Sequence, residues 1–249
     1  MRRVLSLATV MLTLASLAAA QSPDDRKRAR IQNQLGWEDM RTERWESAAR
    51  SFQQAIDIDR SFADAYYGLG RANMALKKFG AAVDALVACR DIYRSQAGKH
   101  FANQQDAQRA RSDRLTDLDE QIRQVQAMPP TMQQADLLRQ LNNHRRDVQD
   151  AYTRGSGLSV EASVPAFVSL SLGSAYFRSD KMADAEREYR ATIAADNRSG
   201  EAHSNLAVVL LETGRITEAE AALKDAKKTG FKVNPQLEQA IKDKKNTRP

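Results

Sequence analysis

A fixed period, roughly 34 residues long, recurs along this chain and leaves few folds open. One such interval separates Gly36, in Gln34-Leu35-Gly36-Trp37, from Gly70, in Gly68-Leu69-Gly70-Arg71. The phase returns as Leu172-Gly173-Ser174 and, the same interval beyond Gly173, as Leu206-Ala207-Val208. Twelve residues after each of these positions stands an alanine: Ala48, Ala82, Ala185 and Ala219. Four further on comes a bulky side chain (Phe52, Leu86, Tyr189, Leu223), and three beyond that a small one (Ala55, Cys89, Thr192, Ala226). Self-similarity at a fixed period is the mark of a stacked array of one supersecondary unit. Small residues on two facing helices let them approach, and the bulky residue between them fills the groove. Each unit therefore reads as two helices joined by a polar turn: Arg41-Thr42-Glu43-Arg44, Lys77-Lys78, Ser179-Asp180-Lys181 and Thr213-Gly214-Arg215.

Composition agrees with an all-α chain. Aromatic residues make up 6%, and 249 residues hold only 11 Gly and 6 Pro. A β-sandwich or barrel uses Gly and Pro at a turn every few residues. The lone Cys89 rules out an internal disulfide framework and a thiolate-rich zinc site.

The four units resemble the tetratricopeptide repeat (TPR) family, over about residues 29–96 and 166–233. The resemblance implies a tetratricopeptide-type α-solenoid, with one repeat pair over 24–96 and a second over 166–234. Two departures stand out. The proline usual at the end of each unit is replaced by Arg60, Arg94, Asn197 and Phe231, and Ala207 takes the place of the glycine in the fourth unit. The resemblance also implies that the first helix of each unit lines a concave face, with positions 2, 5, 9 and 12 turned inward. From unit starts at 29, 63, 166 and 200, the partner-binding candidates are Asn33, Trp37, Tyr67, Arg71, Leu170, Ser174, Phe177, Ser204 and Val208, with Arg178 flanking the aromatics. Trp37 and Tyr67 are expected either to anchor a partner or to pack on the neighbouring helix. The Lys and Asn set of a chaperone-type carboxylate clamp is not matched.

Residues 97–165 do not follow the period. Leu115, Leu118, Ile122 and Val125 form a heptad-like stripe, Met128-Pro129-Pro130 ends that helix, and Thr131 precedes Gln134 at capping-box spacing. Leu138, Leu141, Val148 and Tyr152 continue the stripe, and Gly155-Ser156-Gly157 closes it. The segment reads as a long helical hairpin, about 99–127 and 132–153, inserted between the repeat pairs. It either fills the stack between them or projects and pairs with another chain. After the fourth unit, Gly230 suits a left-handed helix end and Pro235 a helix start. Residues 235–249 are expected to be a capping helix, with Leu237 and Ile241 on one face, and a frayed tail.

Residues 1–20 read as a secretory signal: Arg2-Arg3, then an apolar run from Val4 to Leu17, then Ala18-Ala19-Ala20. The run is too short for the ~20 residues that span a bilayer. Cleavage after Ala20 removes two arginines and no acid, so the net charge falls from +6 to +4. The mature chain is expected to be periplasmic or secreted, with no stable transmembrane segment and no nucleic-acid partner.

Neither HExxH, nor GxSxG, nor a P-loop is present, and Gly68-x-Gly70 is explained by the repeat. His100, His144 and His203 are scattered, and Cys89 takes a small-residue core position. Asp57 and Asp59, like Glu218 and Glu220, are two apart and read as solvated surface. No catalytic residue, metal ligand or cofactor site is expected. The reading is a non-catalytic interaction module that binds a protein or peptide segment in its groove. The alternative is an envelope protein that self-associates, as a homo-oligomer, through the hairpin.

Overall fold

The computed structural model describes residues 23–97, 100–128, 130–153 and 164–246. The signal reading of residues 1–20, Pro129, the Gly155-Ser156-Gly157 stop and the last three residues lie outside them. Among the described residues there are eleven α-helices and no β-strand.

Eight helices form four antiparallel pairs: α1 (Pro23–Arg41) with α2 (Trp45–Ile58), α3 (Ala63–Ala75) with α4 (Phe79–Gln96), α7 (Ala166–Arg178) with α8 (Met182–Ala195), and α9 (Gly200–Glu212) with α10 (Ile216–Lys228). Their packing follows the sequence period. The Phe52 ring lies so close to Gly36 and Gly68 that a Cβ on either would meet it at 2.6 and 2.3 Å. Leu86 stands likewise over Gly70, and Tyr189 over Gly173. Ala48, Ala82, Ala185 and Ala219 are fully buried opposite them. In the first three units one side chain thus fills the space that the missing Cβ atoms leave.

The turn inside each unit is built the same way four times. Glu43, Lys77, Asp180 and Gly214 hold the same place in their units and all adopt the left-handed conformation, with φ of 58°, 59°, 59° and 77°. The next residue then donates its N–H back to the carbonyl five residues earlier: Arg44 to Asp39, Lys78 to Asn73, Lys181 to Tyr176 and Arg215 to Leu210, at 2.8–2.9 Å. That bond is the Schellman closure of a helix end. Only the fourth unit uses glycine there, so the other three carry a left-handed penalty of about 1 kcal/mol. Replacing Lys77 by Gly is expected to raise stability by up to about 1 kcal/mol, and Gly214→Ala to lower it by about as much. Chemical denaturation of the two variants checks both signs.

The second and third units stack directly on one another. Helix α4 packs on α7 just as α2 packs on α3 and α8 on α9. The first helices touch in the order α1, α3, α7, α9 and make a continuous inner layer. The described part of residues 97–165 therefore does not fill a gap in the stack, which corrects one of the two expectations. Their two helices, α5 (Gln104–Gln126) and α6 (Met132–Thr153), fold back on each other beside the array. Gln134 meets the Val125 carbonyl at 2.8 Å and His144 meets Arg114 at 3.0 Å, which fixes their antiparallel sense, and Asp119 pairs with Arg145 at 2.5 Å. Leu118, Ile122, Val125 and Leu141 are buried and belong to the same core cluster as the repeats.

Thr131 caps α6 by accepting the Gln134 N–H at 3.0 Å. The Gln134 amide does not complete the capping box. It donates instead to the Val125 and Met128 carbonyls, tying the end of α5 to the start of α6. At the C-terminus, Gly230 is left-handed (φ 83°) and α11 (Pro235–Asn246) buries Leu237 and Ile241 against α10. Among the described residues no helix is long and apolar enough to cross a membrane.

Candidate interaction face

The inward positions of the four units divide into two unlike halves. In the first pair Asn33, Trp37, Met40, Asp64 and Tyr67 are all buried, Trp37 at 2% and Tyr67 at 4% exposure. Trp37 meets the edge of Phe52 at 5.4 Å and lies 6.2 Å from Tyr67, which meets Phe167 of the third unit at 5.0 Å. This aromatic ladder runs across α1, α3 and α7. The exposed-anchor expectation for Trp37 and Tyr67 is thus corrected: their rings join neighbouring first helices, because α3 and α7 are adjacent. Arg71 donates to the Tyr67 hydroxyl at 3.3 Å.

The second pair is more open. Leu170, Ser174, Phe177, Val208 and Leu211 are half-buried, while Ser204 and Phe167 are buried. The Ser174 hydroxyl donates to the Leu170 carbonyl at 3.1 Å and accepts from the Tyr189 hydroxyl at 3.3 Å. Arg178 is exposed, its guanidinium 4.9 Å above the Phe79 ring.

Sequence reasoning missed a buried ionic joint between the first pair and the α5–α6 hairpin. Arg26 of α1 donates to Asp59 and, at 2.7 Å, to Asp117 of α5. Arg30 donates to Asp117 at 2.7 Å and to Asp113 at 3.0 Å. Arg114 of α5 pairs with Asp64 of α3 at 3.5 Å, donates to the Tyr93 hydroxyl and stacks 4.5 Å over that ring. Further along, Arg139 of α6 pairs with Asp196 at 2.9 Å. Asp59 is therefore no solvated acid. It and Asp196 hold the same place in their units, at the end of the second helix, and that coincidence was the available signal.

Burial sets the electrostatics of this joint. It raises the Asp59 carboxyl, but Arg26 and Ser61 outweigh it and hold the group below its usual value. At Asp64 burial wins, with Asp117 adding to it against Arg114, and the carboxyl is pushed up to about 6. Burial, then the neighbouring Arg114 charge, pushes the His144 imidazole down to about 3. Burial also raises the Cys89 thiol well above its usual value, which suits a core residue.

These shifts give opposite pH slopes. The unfolded chain protonates His144 near 6.5 while the folded chain does not until about 3, so this contribution is lost as pH falls through that window. Asp64 keeps a proton up to about 6 that the unfolded chain sheds above ~4, so its contribution is lost as pH rises from about 4 to 6. Between pH 4 and 6 the two offset. His144→Gln is therefore expected to leave a stability that falls with rising pH, by up to about 1.4 kcal/mol per unit more than the wild type. Asp64→Asn reverses the sign. Urea midpoints at pH 4.5 and 5.5 read the difference.

With this geometry in view, two stretches match known repeats. Residues 170–230 match the family described as "Tetratricopeptide repeat", and residues 38–77 match "TPR repeat". Both stretches are tetratricopeptide repeats. It is similar in fold to PilW, a widely conserved type IV pilus biogenesis factor, at 15% identity over 88% of this chain and 87% of that one, with a TM-score of 0.41. It is similar also to TTC0263, a thermophilic TPR protein of Thermus thermophilus (17% identity, 87% and 98% covered, TM-score 0.35). A third likeness is to YrrB, a TPR protein with an unusual peptide-binding site (14% identity, 89% and 94% covered, TM-score 0.29). A search of curated proteins finds no match. The tetratricopeptide fold is that of protein–protein interaction modules. Among the described residues no group of three His, Cys, Asp or Glu side chains is placed to hold a metal ion.

Proposed function

We propose that this tetratricopeptide repeat protein is a non-catalytic, exported interaction module whose second repeat pair holds a peptide or protein segment. One observation supports this most: the inward row of the last two units keeps Leu170, Phe177, Val208 and Leu211 half-exposed, whereas the first pair buries Asn33, Trp37, Met40, Asp64 and Tyr67 and leaves Arg30, Arg71 and Met74 half-exposed. An apolar row of this kind gains by desolvating the anchors of a bound segment. Arg71 and Arg178, beside the row, suit acidic groups of the same segment, each such exposed pair contributing only ~0–1 kcal/mol. Asn33, Trp37 and Tyr67 then serve by shaping the inner layer, while Leu170, Ser174, Phe177, Ser204 and Val208 line the site. Export rests on the pattern of residues 1–20.

Affinity capture from an envelope extract tests the reading, with the mature chain and its Leu170→Glu and Val208→Glu variants as baits. A glutamate at either place is expected to reduce recovery of the partner about tenfold, with the circular dichroism unchanged. Equal recovery by folded variants contradicts the site.

A further inference from the structure

The α5–α6 hairpin is not needed to complete the stack, because α4 already packs on α7. It nevertheless sits at the inward positions of the first pair: Arg30 and Asp64 hold the same inward place in their units, and both are engaged by α5. The contact between α1 and α5 is largely one of charge. On α1, Arg26, Arg30 and Gln34 are spaced by four; on α5, Asp113, Asp117 and Glu120 face them, with Gln34 hydrogen-bonded to Glu120. The apolar residues of α5, Leu118, Ile122 and Val125, lie beside this acidic stripe.

The joint is also incompletely satisfied. Both amide atoms of Gln121 on α5, Asn33 Oδ1 on α1 and Asp64 Oδ2 on α3 are buried with no protein hydrogen-bond partner among the described residues. A buried polar group without a partner weakens the contact that buries it. The hairpin thus covers a receiving surface it does not fully complement.

We propose that α5 is an internal occupant of the first repeat pair, displaceable by a partner's amphipathic helix bearing acids at the spacing of Asp113, Asp117 and Glu120. This rests on the reading of the protein as an interaction module, and adds a second, self-masked recognition surface to the open one. Tethering gives α5 an effective concentration of about millimolar, so a free helix at micromolar concentration does not displace it from the wild-type chain.

The test uses the full mature chain, hydrogen exchange, and a fluorescein-labelled peptide of residues 104–126 as probe. Asp117→Asn weakens the occupant and leaves the arginines of α1 intact. Its α5 amides are expected to exchange about tenfold or more faster than in the wild type, while α9 is unchanged. The peptide, which keeps its own Asp117, binds this variant and not the wild type. Arg30→Gln also frees α5, but it damages the receiving surface and binds the peptide more weakly than Asp117→Asn does.

Unchanged α5 exchange in both variants overturns the proposal, as does equal peptide binding by the wild type and the variants. A released α5 with no peptide binding overturns it too, and leaves the second-pair site to be judged by capture with Leu170→Glu and Val208→Glu.

Discussion

Phe52→Ala is expected to lower the unfolding free energy by about 3–5 kcal/mol, measured by urea denaturation. The ring is fully buried and is wedged against two glycines on different helices, Gly36 of α1 and Gly68 of α3. Its removal leaves a cavity that neither glycine can fill, and it takes away the edge contact to Trp37. Because a repeat array is held by nearest-neighbour contacts, the loss should be local at first. Amides of α1 and α2 should exchange early, while those of α9 and α10 keep their protection. A uniform loss along the chain would mean that the first unit is not a separable layer of the stack.

The second large effect is at the junction of the repeat pairs. Glu188 of α8 is 2% exposed and receives Arg90 of α4 at 2.9 Å, with Arg187 more distant at 3.8 Å. Arg90→Met leaves that carboxylate buried without its main partner, and is expected to cost about 3 kcal/mol or more. Replacing both residues by Met should recover most of the loss, since an apolar pair of similar volume carries no desolvation penalty. If Arg90→Met proves neutral, the Arg90–Glu188 pair does not join α4 to α8, and the second and third units do not stack as described.

What could be read from the sequence was what repeats. Gly36 with Phe52, Gly70 with Leu86, and Gly173 with Tyr189 are one packing solution used three times, so their spacing shows in the chain. The left-handed turn residue is repeated too, but it is hidden: Glu43, Lys77 and Asp180 do not look like turn glycines, and only Gly214 does. The joint around Asp117 left one trace only, the matching places of Asp59 and Asp196 in their units. Arg26, Arg30, Asp113 and Arg114 look like ordinary solvated charges, and nothing periodic links α1 to a helix so distant in the chain. The fate of Trp37 and Tyr67 turned on a contact between units separated by residues 97–165. Phe167 closes the aromatic ladder only because α3 and α7 are adjacent. Of the second-pair positions expected to face inward, Leu170, Ser174, Phe177 and Val208 are half-buried and Ser204 is buried; a role for them in binding is a proposal.

Site-specific photo-crosslinking in cells tests that role most directly. With benzoylphenylalanine in place of Val208 or Leu170, half-buried on the inner layer, a defined partner adduct is expected; with the same group in place of Ala194, exposed on α8, none is. Adducts from Ala194 alone, with none from Val208 or Leu170, would show that the partner lies on the outer helices and contradict the assignment.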